Sequence, residues 1–133
     1  RVINVLVVDD DATLIFLMKR LLQKTGRVSE VRVASDGKEA LDILFGGAWA
    51  PDLIFLDINM PVMSGWDFLD EFGRSYANKI ECEIVMLSSS TREMEKAQAA
   101  IHPEVIRYLS KPALYPTILE VVINTDTRKS TGL

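Results

Sequence analysis

Five short runs of strand character, four of them largely apolar and closing at polar residues and one alternating, each followed by a stretch of different periodicity, constrain this chain more than any other feature. Val2–Val8 is β-branched and stops at Asp9-Asp10-Asp11. Val28–Val33 alternates in character. Leu53–Leu56 is wholly apolar and ends at Asp57. Glu83–Leu87 ends in Ser88-Ser89-Ser90, and Val105–Leu109 leads to Lys111-Pro112. Runs of this length and bounding read as strands. Between them, Leu14, Leu17, Leu21 and Leu22 recur at helical spacing, with Gly26 as the stop. Asp36 caps a helix carrying Ala40, Leu41 and Leu44, which stops at Gly46-Gly47. Trp66–Tyr76 is helical, though weakened by Gly73, and Thr91–Ile101 is a helix closed by His102-Pro103. A last helix runs to about Asn124.

Strands alternating with helices predict an α/β fold, doubly wound, with a five-stranded parallel sheet and helices on both faces. Near-continuous apolar strands agree, because both faces of such a sheet are covered. Ligands of open α/β sheets bind in the crevice at the carboxyl ends of the strands. The residues that close the apolar runs are therefore the ones to examine.

The 133 residues fit one domain, expected over residues 1–125, with a polar tail over 126–133 that frays. A hydrophobic fraction of 48% and a net charge of −4, with no basic run, leave no surface suited to direct nucleic-acid binding. Cys82 is the only cysteine, so neither an intrachain disulfide nor a cysteine-rich metal site is available. No apolar stretch approaches the roughly 18 residues of a membrane span, and the first segment lacks the basic start of a signal peptide. A cytoplasmic protein without membrane contact is expected. The chain begins at Arg1 rather than Met, which fits a processed, trimmed or excised sequence alike.

At the predicted strand ends stand Asp9, Asp10, Asp11, Asp57, Ser88 and Lys111. Carboxylates packed together repel unless a cation neutralises them. An all-oxygen donor set selects a hard ion, and Mg²⁺ binds through one or two carboxylates plus waters and phosphate oxygens. Lys111 would neutralise further negative charge, and the Ser88 hydroxyl would donate to a phosphoryl oxygen. A carboxylate can itself act as the nucleophile. A Mg²⁺-dependent phosphoryl site follows from the chemistry alone.

Five pieces of sequence carry a resemblance: Val7-Val8-Asp9-Asp10, Leu56-Asp57-Ile58-Asn59-Met60-Pro61, Met63-Ser64-Gly65, Leu87-Ser88 and Tyr108-Leu109-Ser110-Lys111-Pro112. In this order they resemble the response-regulator receiver family of two-component signalling, chemotaxis-type single-domain receivers included, from residue 2 to about 124. The resemblance implies a flavodoxin-like strand order, 2-1-3-4-5. It implies Asp57 as phosphoacceptor, with Asp9, Asp10, Asp57 and the Asn59 backbone carbonyl holding Mg²⁺. Ser88, Lys111 and Tyr108 would stabilise the phosphoryl group or switch with it, and Lys111-Pro112 would be a cis bond. The implied partners are a histidine kinase or histidine phosphotransfer protein and an unknown protein target, the chain being a monomer or weak dimer and not an enzyme.

Three positions depart from the family pattern. Val105-Ile106-Arg107 stands where a small residue usually precedes the switch aromatic, Ala113 where Phe is common, and Pro116 in the first turn of the last helix. All three fall on the face that receivers commonly turn to partners, so no partner is carried over.

Singly, each site residue has a plainer reading: Asp9, Asp10 and Asp11 as helix caps, Ser88 as an N-cap, Lys111 as a surface lysine, Tyr108 as a half-buried aromatic. His102 reads as a loop histidine, Trp66 as packing near the site and Cys82 as an inert thiol. Two rival functions remain. One is a degenerate receiver that only docks, against which Asp10, Asp57 and Lys111 argue. The other is a haloacid-dehalogenase-like Mg²⁺ phosphatase, which needs a second acid two residues after its nucleophile, where this chain has Asn59.

Overall fold

The computed structural model describes residues 2–75, 82–89, 92 and 102–131. The strands are β1 (Ile3–Val8), β2 (Val28–Ala34), β3 (Leu53–Asp57), β4 (Glu83–Ser88) and β5 (Val105–Ser110). They pair in parallel in the order β2-β1-β3-β4-β5, as expected. Among the described residues the helices are α1 (Ala12–Lys24), α2 (Gly37–Phe45), α3 (Gly65–Ser75) and α4 (Tyr115–Thr131). The helix expected over Thr91–Ile101 falls, apart from Arg92, outside the described residues, as do Tyr76 and Ser90.

Side chains alternate across the central strands and build two cores. Leu6, Val8, Ile54, Leu56, Ile84 and Met86 face α2 and α3, where they meet Leu41, Leu44, Phe68 and Phe72. Val5, Val7, Leu53, Phe55, Val85 and Leu87 face α1 and α4, against Met18, Leu22, Ile118 and Val122. This two-sided burial is why the central strands read as unbroken apolar runs.

Local chemistry sets the helix starts. The Asp11 carboxylate accepts from the N–H groups of Thr13 and Leu14, and the Asp36 carboxylate accepts from that of Glu39. The last helix differs from expectation. It runs past Asn124 to Thr131 rather than fraying. Thr125 and Asp126 are buried, Asp126 pairs with Arg27 at 3.3 Å, and Arg128 pairs with Glu83 at 2.6 Å. These tertiary contacts hold a segment whose composition alone has little reason to stay folded. No helix of the described residues is long and apolar enough to cross a membrane.

Candidate functional site

Register brings the strand ends level. Val8 lies opposite Leu56, Asp57 opposite Leu87, and Ser88 opposite Ser110. The residues that follow these positions therefore open onto one edge of the sheet, the crevice expected for an open α/β sheet.

Asp9, Asp10 and Asp57 meet there, each offering a carboxylate oxygen within 4.8 Å of the others. The acids after β1 divide their roles. Asp9 is fully buried and accepts the Asp11 N–H at 2.9 Å; Asp10 is exposed; Asp11 turns away to cap α1. The plain capping reading thus holds for Asp11 alone. Lys111 reaches in from the end of β5, with Nζ 2.7 Å from Asp9 Oδ2 and 3.1 Å from Asp57 Oδ1. Its own N–H donates to the Ser88 carbonyl at 2.8 Å, and the Lys111-Pro112 peptide bond is cis. The surface-lysine reading is set aside by this geometry.

The electrostatics follow from the crowding. Burial pushes the Asp57 carboxyl above its usual value, and the charge of Asp9 pushes it further; the Lys111 hydrogen bond and charge pull against them, while Asp10 adds a smaller upward push. Burial alone would lower the Lys111 ammonium. Its hydrogen bonds to Asp9 and Asp57, with their charges, outweigh that and hold it above the ordinary range. One ammonium thus faces three carboxylates that share a small space. The oxygen-only donors, the excess negative charge and the raised Asp57 together suit a hard divalent cation.

The other expected residues are placed as follows. Ser88 is buried at the end of β4. Tyr108 is half-buried on β5, opposite Met86 and packed on the core beneath α2 and α3, and burial raises its hydroxyl pKa. Asn59 is exposed in the loop between β3 and α3. Trp66 packs on the same core, its ring centroid 6.3 Å from that of His102, which lies in a turn before β5. Cys82 is half-buried against that core.

Two glycines near the strand ends also belong to the site's packing. A Cβ on Gly65 would run into the Asp57 carbonyl and come 3.0 Å from Ile58 Cα, so the main chain of Asp57 excludes any side chain there. Gly37, at the start of α2, packs just as closely on Met63. For Gly65 the Met63-Ser64-Gly65 piece was a signal. For Gly37 the sequence shows only an ordinary first helical turn after Asp36.

The comparisons with known proteins agree with this geometry. The family model of the response regulator receiver domain matches residues 5–123. A protein-glutamate methylesterase/protein-glutamine glutaminase of Burkholderia thailandensis is 37% identical over 113 residues, which are 84% of this chain and 30% of that protein. The chain thus spans about a third of the length of such relatives. A two-component response regulator from Cytophaga hutchinsonii superposes with a TM-score of 0.81 at 32% identity, covering 96% of this chain and 99% of that one. A response regulator receiver domain protein from Clostridium thermocellum gives a TM-score of 0.81 at 27% identity, with 98% of each chain covered. Sheet order, acidic cluster and family match converge, and the chain belongs to the response-regulator receiver family.

Proposed function

We propose that Asp57 accepts a phosphoryl group from a phosphohistidine of a histidine kinase or histidine phosphotransfer protein, and that this switches a protein-binding face. The observation that carries the reading is the Lys111 ammonium set between Asp9, at 2.7 Å, and Asp57, at 3.1 Å, beside Asp10. An Asp57 oxygen attacks phosphorus as the P–N bond of the donor breaks. The bonding pair leaves with the imidazole nitrogen, which takes up a proton, and an acyl phosphate forms.

Mg²⁺, held by Asp9, Asp10, Asp57 and the Asn59 carbonyl, would neutralise the charge gathering on the phosphoryl oxygens. Asp9 anchors Lys111, and as the Asp57 carboxylate becomes an acyl phosphate the Lys111 ammonium turns from it to a phosphoryl oxygen. Ser88, at the end of β4, donates its hydroxyl to another phosphoryl oxygen. Tyr108, on the strand next to β4, turns with it and carries the change to the β5 and α4 surface. A two-state element biased in this way needs no new fold.

The receiver unit on this reading is residues 1–125, with 126–133 a polar C-terminal tail into which α4 continues as far as Thr131. It works as a monomer or weak dimer in the cytoplasm, a reducing setting that suits a chain with one cysteine. It is a phosphorylated switch rather than an enzyme. The ester chemistry named for the methylesterase relatives belongs to proteins of which this chain spans 30%.

The test is incubation with Mg²⁺ and acetyl phosphate, alongside Asp57→Asn, read by intact mass. A Mg²⁺-dependent gain of one phosphoryl group, absent in the variant, is expected. An adduct that persists in Asp57→Asn would refute the assignment. No adduct, and no response to beryllofluoride with Mg²⁺, would favour a docking module without phosphoryl chemistry.

A further inference from the structure

The loop between β3 and α3 is held at three points. At its neck, the Gly65 N–H donates to the Ile58 carbonyl at 2.9 Å, and the Ile58 N–H donates to Leu87 at 3.3 Å. At its tip, the Met63 N–H donates to the Pro61 carbonyl at 2.7 Å, closing a three-residue turn about Val62. Val62 has a φ of +66°, a strained conformation for a β-branched residue. The third point is Gly37, the first residue of α2, whose N–H donates to the Met63 carbonyl at 3.1 Å. Among the described residues, this is the one main-chain bond that the loop beyond its neck takes from an element not adjoining it.

Gly37 is buried, and a Cβ there would lie 2.7 Å from Met63 Cγ and 3.0 Å from both the Met63 sulfur and carbonyl oxygen. Its helical backbone asks nothing of glycine, and alanine is the better helix former. The missing Cβ therefore serves the neighbouring loop rather than the helix.

We propose that Gly37 is a positioning residue for the phosphoryl site: its bare Cα and its N–H seat Met63 and thereby fix the loop that carries the Asn59 carbonyl beside Asp57. The inference rests on the reading of that carbonyl as a metal ligand. A side chain at position 37 displaces Met63, both its side chain and its carbonyl. Beyond the neck, where Ile58 is tied to Leu87, no other main-chain bond among the described residues joins the loop to an element not adjoining it, so the push at Met63 is passed along the loop and shifts the carbonyl at Asn59 relative to the three carboxylates. Groups that orient metal ligands without touching the metal carry roughly ten to a hundred-fold in affinity.

The test is MgCl₂ titration by calorimetry of the whole chain, in wild type, Gly37→Ala, Met63→Ala and the double variant. Each is also melted in EDTA. Gly37→Ala should weaken Mg²⁺ binding about tenfold, while its metal-free melting temperature holds or rises. The double variant, with room restored, should recover most of the affinity. Unchanged Mg²⁺ affinity in Gly37→Ala overturns the proposal. So does a loss that Met63→Ala fails to relieve while metal-free melting falls in step, since that is general destabilisation. A wild-type chain that takes up no Mg²⁺ overturns this reading and the functional one together. Equal binding by wild type and Gly37→Ala overturns this one alone.

Discussion

Replacing Lys111 by Met isolates the electrostatic problem at the strand ends. Lys111 Nζ lies 2.7 Å from the fully buried Asp9 and 3.1 Å from Asp57, and its side chain is 18% exposed. At an effective dielectric constant of about 20, the contacts have gross values of about 6 and 5 kcal/mol. Burying the ammonium costs several kcal/mol, and the carboxylates left behind relieve part of their repulsion by taking up a proton. A net loss of about 3 kcal/mol at neutral pH without metal follows, the scale of breaking a buried pair.

The pH dependence has a definite sign. The raised ammonium of Lys111 contributes stability that is complete below its unfolded pKa and lost only as pH rises through the folded one, so at neutral pH it is fully present. Asp57 is raised as well, so the folded state is penalised for its charge above that folded pKa and relieved as pH falls through it. Without Lys111 the Asp57 pKa rises further. The deficit of Lys111→Met should therefore shrink on mild acidification, and added MgCl₂ should recover part of it at neutral pH. Urea denaturation of both proteins in EDTA, at neutral and mildly acidic pH, measures this. A loss below about 1 kcal/mol, typical of a surface ion pair, or a deficit that does not change with pH, would refute the reasoning.

Two further outcomes are expected. Ending the chain at Asn124 removes the buried Thr125 and the Asp126–Arg27 and Arg128–Glu83 pairs, and should cost about 2 kcal/mol in chemical denaturation; equal stability would mean that the last turns fray. Val62→Gly relieves a φ of +66° at a residue 81% exposed, so little packing is lost. Left-handed strain of about 1–2 kcal/mol, less the entropy of the added glycine, leaves a gain of roughly 0.5–1 kcal/mol. A melting temperature below wild type would show that the strain reading is wrong.

Much of the fold was legible because each strand carries its burial in its composition. Leu53–Asp57 is apolar at every position before its acid, and the structure buries it on both sides. Asp36 and Asp11 announce their helices by local hydrogen bonding, which needs no distant partner. The C-terminal helix beyond Asn124 was not legible, because its hold comes from Arg27 and Glu83, far away along the chain. Local propensity carries no trace of such contacts.

The same division runs through the site. Sequence by itself determined which residue types stand at the ends of the strands, since apolar runs must stop where the sheet meets solvent and the polar residue there is in plain view. Only the tertiary structure decided which of those residues meet. Register placed Asp9, Asp10 and Asp57 within 4.8 Å and brought Lys111 across the sheet to two of the carboxylates. It also made Gly37 part of the site's support by packing α2 on Met63. The physical reason is that identity at a position is local, whereas charge neutralisation and close packing depend on distances between segments that the chain order leaves open.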